Sequence, residues 1–218
     1  MRLYHGSDHI VKNPSLQRGR LYNDYGRGFY MTAEYELAGE WACKHKTDGY
    51  VNEYELDISA LKVLDLQSAD FCVLNWISVL LKNRTFEVTG DVALSAREYL
   101  LKNYLPDLSG CDVIVGYRAD DSYFSYAESF INNALSLRRL ESAMTLGKLG
   151  VQHALVSERA FDSLEFVDSY RAESKIYYEK YKQRDEKARN SYKERLRRES
   201  ASSDDIFITD IMWRSKNG

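Results

Sequence analysis

The sequence predicts an α+β fold, and the order of the predicted elements supports that prediction. Stretches with strand and helix patterns follow one another without the regular strand–helix–strand repeat of a doubly wound sheet. The chain has 218 residues, of which 44% are hydrophobic and 29% charged, and its formal net charge is −3. This length and balance are typical of one sizeable domain, or of one domain with an appendage. The small net charge does not predict that the whole molecule binds nucleic acid, although a local basic face is compatible with it.

The N-terminal part of the chain is predicted to contain three strands and one helix. Leu3–His5 begins a short strand that ends in a Gly-Ser turn, and residues 8–25 form a polar loop. Gly28–Thr32 is a compact strand-like run, and its last residue is placed to cap a helix over Ala33–Lys46. Val51–Ile58 alternates apolar and polar residues, which indicates a strand with one buried face.

Strands and helices continue to alternate in the middle of the chain. The patterns predict four more strands and at least four more helices. The strands are Val63–Leu66, Asp112–Tyr117, Val151–Ser157 and Leu164–Val167. The helices are Phe71–Leu81, Val92–Tyr104 and two short ones within residues 122–147.

The composition changes after Tyr170, so we expect a domain over residues 1–170 and an extension over residues 171–218. Residues 171–199 contain eleven Lys and Arg against six Asp and Glu. This pattern is typical of a solvated helix with ion pairs between neighbouring turns. The segment Asp205–Trp213 is apolar again. It predicts either an edge strand or a segment that docks on a partner.

The cysteines and the N-terminus indicate a cytoplasmic protein. Cys43, Cys72 and Cys111 form no CxxC or CxxH pattern, so neither a metal site nor a disulfide framework is predicted. The N-terminus MRLYHGSDH lacks an apolar signal core. No run approaches the roughly 18 apolar residues of a membrane span, so no membrane association is expected.

Two short motifs contain the candidate functional residues. His5 and Gly6 stand at the end of the first strand, where a glycine lets a planar ligand approach the main chain. Gly26-Arg-Gly-Phe-Tyr-Met-Thr32 has two glycines before an aromatic pair, so one ring can face a pocket while the other packs inward. The alternatives are a structural histidine and a glycine turn that carries two core aromatics.

Together the two motifs resemble the ADP-ribosyltransferases of the His-Tyr-Glu class. The resemblance implies a split β-sheet core with peripheral helices and NAD as co-substrate, without a metal. It implies that His5 binds a ribose hydroxyl and that Gly6 binds the nicotinamide amide through its backbone. Tyr30 and Trp41, eleven residues apart, would stack on the nicotinamide ring. Such stacking suits a flat, electron-poor ring.

A second set of residues completes the predicted NAD site. Ser7 and Gly28 belong to the same two motifs. Arg18 and Arg27, with Arg20 between them, lie in or near the first loop and could bind the NAD pyrophosphate. For each arginine the alternative is an ordinary solvated side chain.

A narrower resemblance is to a bacterial family known as domain of unknown function 3990. The shared features are Tyr-His-Gly-Ser at residues 4–7, Gly-x-Gly-Phe-Tyr-x-Thr followed by Trp-Ala, Val-Asn-x-Tyr-x-Leu-Asp at 51–57, Ala-Asp-Asp at 119–121 and Gln-x-x-x-x-Ser at 152–157. They extend over roughly residues 1–170. Members resemble toxins of toxin–antitoxin and phage-defence loci, which implies an antitoxin and possible chaperone as partners.

The third catalytic position departs from the His-Tyr-Glu pattern, because Gln152 stands where that class has a glutamate. An amide can bind the ribose hydroxyl but adds no negative charge. Asp120 and Asp121 could supply the carboxylate and activate the acceptor. Their alternative role is to cap the next helix. Glu158 and Glu165 are further candidate acids, which strand alternation does not place beside the glutamine.

The sequence therefore predicts an NAD-dependent mono-ADP-ribosyltransferase toxin, with an RNA acceptor favoured. The tyrosines and basic residues of Tyr170–Arg198 would suit stacking on bases and contact with phosphates. A protein acceptor is the main alternative, and a glycohydrolase would differ only in using water. Another is a catalytically weak module that binds NAD or nucleic acid, which Gln152 favours. An RNA 2′-phosphotransferase ranks last, because the Gly-Phe-Tyr motif does not supply the further His and Arg that it needs.

Overall fold

The computed structural model of the chain describes residues 1–119, 121–146, 150–198 and 205–217. These residues form seven strands in two sheets and eight α-helices, which confirms the prediction that α and β structure are mixed. The strands are β1 (Arg2–Ser7), β2 (Phe29–Met31), β3 (Gly49–Leu56), β4 (Val63–Asp65), β5 (Val113–Tyr117), β6 (Val151–Leu155) and β7 (Leu164–Ala172). The helices are α1 (Tyr35–Ala42), α2 (Val73–Asn83), α3 (Gly90–Asn103), α4 (Asp121–Ile131), α5 (Leu137–Leu146), α6 (Glu158–Asp162), α7 (Ser174–Arg198) and α8 (Ile208–Asn217).

Two details of the predicted secondary structure are wrong. Thr32 does not cap α1: it is buried, its backbone pairs with that of Tyr4, and the N-cap residue is Glu34. The strand alternative for Asp205–Trp213 is also wrong, since residues 208–217 form α8. The Asp210 carboxylate accepts the backbone N–H of Phe207 at the start of that helix. Such a bond satisfies one of the N–H groups that a helix leaves unpaired at its N-terminus.

The first compact unit consists of Met1–Ser68, Asp107–Arg118 and Leu149–Asp185, and it contains both sheets. One sheet has the order β1-β3-β7 and is antiparallel throughout. The other has the order β2-β6-β5-β4, in which only β4 and β5 are parallel. A buried apolar cluster with members from both sheets packs between them, and it includes Leu3, Met31, Tyr54, Val113 and Leu155.

Helix α1 packs closely against the first sheet. A Cβ atom on Gly6 would lie 1.9 Å from the carbonyl oxygen of Ala38, so only glycine lets β1 and α1 approach this closely. On another side of α1, Gly39 lies against the ring of Tyr177 from α7. The Arg184 guanidinium of α7 donates a hydrogen bond of 2.6 Å to the buried carboxylate of Glu40. Helix α1 therefore lies between strand β1 and helix α7.

The second compact unit consists of Ala69–Pro106, Ala119–Lys148 and Glu186–Gly218, and the regular structure described in it is helical. Helix α3 contacts α2, α4 and α8, and α4 contacts α5. Ser78 of α2 donates hydrogen bonds to the carbonyl oxygens of Leu74 and Leu100, the latter in α3. No helix in the described ranges of the chain is both long enough and apolar enough to span a membrane.

Candidate functional site

Strands β1 and β2 meet at one point and then diverge. Tyr4 and Thr32 exchange two backbone hydrogen bonds of 2.8 and 2.9 Å, and this bridge is isolated. Because the pairing is antiparallel, the register would next bring Gly6 opposite Tyr30. No such pair forms, and each strand continues in its own sheet. The two motifs singled out in the sequence therefore flank one opening.

The side chain of His5 spans this opening. Its Nδ1 lies 2.7 Å from the carbonyl oxygen of Tyr30. A carbonyl oxygen can only accept, so Nδ1 carries the proton and Nε2 of the neutral ring is an acceptor. Burial lowers the pKa of His5 to about 4, although the bond to Tyr30 acts in the opposite direction. The ring also contacts Phe29, with centroids 4.2 Å apart. Nε2 has no partner among the described residues and is available to a ligand hydroxyl.

The backbone of Gly6 faces the same opening. In an antiparallel pair, successive residues direct their N–H and C=O groups to opposite sides. Tyr4 uses its pair toward Thr32, so Gly6, two residues later, also directs its N–H and C=O away from β3. On that side neither group is bonded to a described residue. Gly6 thus offers one donor and one acceptor beside Tyr30.

The phenol of Tyr30 holds the turn that precedes its own strand. Its hydroxyl donates to the carbonyl oxygen of Gly26 at 2.7 Å and accepts the N–H of Tyr25 at 3.0 Å. Gly26 has φ +81°, a conformation that favours glycine. The rings of Tyr25 and Tyr30 are nearly parallel, 9° apart in plane, with centroids separated by 6.4 Å. The ring of Tyr30 is therefore oriented by its hydroxyl and by a second tyrosine.

Trp41 lies on α1, the helix that packs against Gly6. The guanidinium carbon of Arg118 lies 5.0 Å from the centre of its ring, within the range of a cation–π contact. The indole Nε1 is buried and has no acceptor among the described residues. The ring that lies nearly parallel to Tyr30 is that of Tyr25, whereas Trp41 contacts Arg118. A buried donor without a partner is unusual in a folded protein.

Gln152 lies on the same face of the second sheet as Tyr30. Tyr30 pairs with Ala154, and side chains two residues apart on a strand share a face. The buried Nε2 of Gln152 donates to the Asp24 carboxylate at 2.8 Å and to the Tyr117 carbonyl oxygen at 3.3 Å. Asp24 is itself buried. The Asp24 carboxylate therefore lies next to the side-chain amide of Gln152.

Ser7 and Gly28 are placed differently from His5 and Gly6. The Ser7 hydroxyl donates to the His9 carbonyl oxygen at 2.7 Å and accepts from Asn52 at 2.9 Å, so it holds the loop after β1. Gly28 packs against β6, since a Cβ there would lie 2.6 Å from the Leu155 carbonyl oxygen. Both residues therefore make contacts within the protein, Ser7 with the loop after β1 and Gly28 with β6.

The predicted arginines and acids are not brought together at the opening. Arg18 and Arg27 are exposed in the first loop. Glu158 is exposed on α6 and accepts a hydrogen bond from Gln17. Glu165 is exposed on β7, where it pairs with Glu55 of β3. None of these four side chains contacts Gln152 in the described part of the structure.

The side chains of the two aspartates predicted to assist catalysis lie outside the described part of the structure. Asp120 lies outside the described residues. Asp121 is the first residue of α4, and only its backbone is described. Their roles as catalytic residues or helix caps stay predictions.

Sequence reasoning missed three residues that the fold brings to this region: Asp24, Tyr25 and Arg118. The Tyr25 hydroxyl donates to the Tyr117 carbonyl oxygen at 2.7 Å, and its ring packs on Gly116. A buried aromatic beside a glycine in an otherwise polar loop is the signal that could have identified this anchor. Asp24 and Arg118 carry no local signal, because distant residues determine their contacts.

Comparison with known proteins gives a family. No curated protein and no solved structure matches the chain. One family model matches residues 1–166, and its description is protein of unknown function (DUF3990). The match includes β1 through β6 and therefore every strand that carries His5, Gly6, Tyr30 and Gln152. It covers well over half of the 218 residues, so the chain belongs to the DUF3990 family.

Proposed function

We propose that the chain is an NAD-dependent mono-ADP-ribosyltransferase with an ADP-ribosyltransferase-like split β-sheet core. The observation that carries the proposal is the His5–Tyr30 contact at the point where β1 and β2 diverge. Because Nδ1 donates to Tyr30, Nε2 is an acceptor, and it would suit a ribose hydroxyl. Two main-chain groups of Gly6 and one oriented tyrosine ring lie around the same opening. Few directed hydrogen bonds beside an aromatic face suit a planar carboxamide ring.

The chemistry proposed is transfer of ADP-ribose with loss of nicotinamide. The glycosidic C–N bond breaks and its electron pair leaves with nicotinamide, which becomes neutral. Positive charge develops at the anomeric carbon, and an acceptor nucleophile then bonds to that carbon and loses a proton. His5 would bind a ribose hydroxyl, Gly6 the carboxamide, and Tyr30 and Trp41 the nicotinamide ring. Positioning of this kind can supply a large part of a rate enhancement.

RNA is the acceptor class that we favour, in the setting of a toxin whose activity an antitoxin would block. The support is α7, where Lys182 and Lys187 are exposed and Tyr178 lies near the Lys182 ammonium group. Exposed cations beside aromatic rings suit phosphates and bases. Other cations of the helix are committed within the protein, since Arg184 and Lys180 pair with carboxylates of α1. A protein acceptor is the second candidate within the same reaction.

A module that binds NAD without cleaving it is the competing function. Gln152 favours it, because an amide adds no charge to stabilise a developing cation. The transferase releases nicotinamide and labels an acceptor, whereas the binding module does neither. They predict the same dependence of NAD binding on His5 and Tyr30.

The test uses NAD labelled in the adenylate part, incubated with cell lysate that is then separated into RNA and protein. Wild type is compared with Tyr30→Ala, and Tyr22→Ala is the matched control because Tyr22 is 76% exposed in the same loop. We expect label on RNA, reduced about tenfold or more in Tyr30→Ala, since stacking is worth about 1–3 kcal/mol per ring. The control should keep the wild-type yield.

Other outcomes separate the alternatives. Label on protein would identify the second acceptor class, and nicotinamide release without label would identify water as the acceptor. Saturable NAD binding without nicotinamide release would leave the binding module. If NAD neither binds nor is cleaved, the proposal fails. Equal losses in both tyrosine variants would also count against a specific role for Tyr30.

A further inference from the structure

The amide of Gln152 has a fixed orientation, and a carboxylate fixes it. Both neighbours of its nitrogen, the Asp24 carboxylate and the Tyr117 carbonyl, are acceptors only. The nitrogen must face them, because the amide oxygen would be repelled there. Oε1 therefore points elsewhere, and it accepts no hydrogen bond from a described residue. Gln152 presents a lone-pair oxygen on the face of the sheet that also carries Tyr30.

The carboxylate is buried and belongs to an anchored loop. Asp24 is 7% exposed and Gln152 is 4% exposed. The next residue, Tyr25, is held by two strands of the second sheet. Its hydroxyl donates to the Tyr117 carbonyl oxygen of β5, and its N–H donates to the Tyr30 hydroxyl of β2. Asp24 is thus held beside the amide by neighbours that also orient Tyr30. This arrangement links the charge at residue 24 to the ring at residue 30.

We propose that Asp24 is a positioning residue that, together with Gln152, performs the work of a single catalytic glutamate. The inference rests on the proposed transferase function. Gln152 Oε1 would accept the ribose hydroxyl. Asp24 would polarise the amide through a charge-assisted hydrogen bond and bring a negative charge one amide group away from the sugar. The negative charge of Asp24 would then stabilise the cation that develops when nicotinamide leaves, although Gln152 itself is neutral.

The proposal predicts how the protein responds when the carboxylate and the amide of this pair are exchanged. Gln152→Glu places two carboxylates in contact, which repel in a buried site. Asp24→Asn keeps an oxygen that can accept from Gln152 but removes the charge. Asp24→Asn with Gln152→Glu restores one amide and one carboxylate in reversed positions. The four proteins, including wild type, form a cycle. Wild type and the double variant carry one carboxylate in different positions, Gln152→Glu carries two, and Asp24→Asn carries none.

The structural arm of the test is chemical unfolding of the four proteins at pH 8 and pH 5. Gln152→Glu should be the least stable at pH 8, and it should recover relative to wild type at pH 5. Protonation of one carboxyl then replaces repulsion by a hydrogen bond. The double variant should regain most of the loss at pH 8. A Gln152→Glu protein as stable as wild type at pH 8 would overturn the proposal that a charged Asp24 acts on this side chain.

The functional arm is nicotinamide release under saturating NAD, with kcat and KM determined separately. Asp24→Asn should lower kcat about tenfold or more while KM changes little, because charge is removed but the hydrogen bond is kept. The double variant should recover kcat relative to Asp24→Asn. Asp162→Asn, which changes an exposed aspartate at the end of α6, is the control and should match wild type.

The outcomes distinguish the inference from the function on which it rests. If wild type neither binds nor cleaves NAD, the proposed function fails and the role of Asp24 fails with it. If wild type cleaves NAD and Asp24→Asn cleaves it with the same kcat, only the role of Asp24 is overturned. A double variant that is stably folded but no faster than Asp24→Asn would also overturn it.

Discussion

The protonation state of His5 leads to a quantitative prediction about stability and pH. Burial lowers the pKa of His5 from 6.5 to about 4 in the folded chain, and the bond to the Tyr30 carbonyl partly opposes this. The unfolded chain therefore binds the proton more tightly than the folded one. The resulting stability is fully present above pH 6.5 and is lost as the pH falls toward 4. With about 1.4 kcal/mol per pKa unit, the loss approaches about 3 kcal/mol.

Two measurements test this prediction. Nitrogen–proton correlation spectra of the imidazoles give the pKa of His5 and show which ring nitrogen carries the proton at neutral pH. Denaturant unfolding of wild type and His5→Gln at pH 7 and pH 4.5 gives the energetic part. The difference between the two proteins removes the contribution of other groups, including His153, whose pKa is also lowered by burial. We expect wild type to lose about 2–3 kcal/mol more than the variant on acidification.

Either of two results would refute the reasoning. A His5 resonance that titrates between pH 6 and 7 would mean that the ring is solvated rather than held in the opening. A proton on Nε2 at neutral pH would mean that the ring does not donate to Tyr30, and Nε2 could not accept a ribose hydroxyl. Equal acid sensitivity of wild type and His5→Gln would remove the energetic claim alone.

Three further predictions concern the free energy of unfolding, measured with denaturant. Gly6→Ala should cost about 3 kcal/mol because α1 must move to make room for the added Cβ. Gly110→Ala is the control: Gly110 has φ +66° and open space around it, so the change should cost about 1 kcal/mol. Equal costs would contradict the close approach of β1 and α1. Arg184→Ala should cost about 3 kcal/mol by leaving a buried carboxylate unpaired, and Lys180→Ala, from an exposed pair, at most about 1 kcal/mol. Tyr30→Phe should cost about 2 kcal/mol, since it removes one donor and one acceptor from a buried turn, and a neutral effect would disprove that role of the hydroxyl.

Local pattern predicted the strands that carry the candidate site. His5 and Gly6 end one alternating run and Tyr30 belongs to another, so their secondary structure follows from short segments. The glycine at position 6 also indicated a close approach to the main chain, and in the structure α1 packs there. The spacing of these segments did not show that β1 and β2 flank one opening.

Long-range contacts and short apolar segments could not be predicted in the same way. Asp24 is 128 residues from Gln152 in sequence, and nothing local indicates that their side chains meet. Asp205–Trp213 was predicted to form an edge strand or to dock on a partner. Most of it belongs to helix α8, because a short apolar run fits either period. Thr32 was expected to begin a helix, but its backbone groups are used by Tyr4. For Gln152 and Thr32 the deciding interaction comes from a distant part of the chain.

The close packing of α1 has a mechanical consequence. Gly6 brings a strand against one side of this helix, and Tyr177 covers Gly39 on another, so both contacts lack an intervening flexible side chain. Van der Waals contact of this kind leaves tolerances of a few tenths of an ångström. Displacement of α7 would therefore be transmitted through α1 to the main chain at Gly6. Helix α7 lies beyond residues 1–166, the part of the chain that the family model matches, yet it contacts α1, the helix that packs against β1.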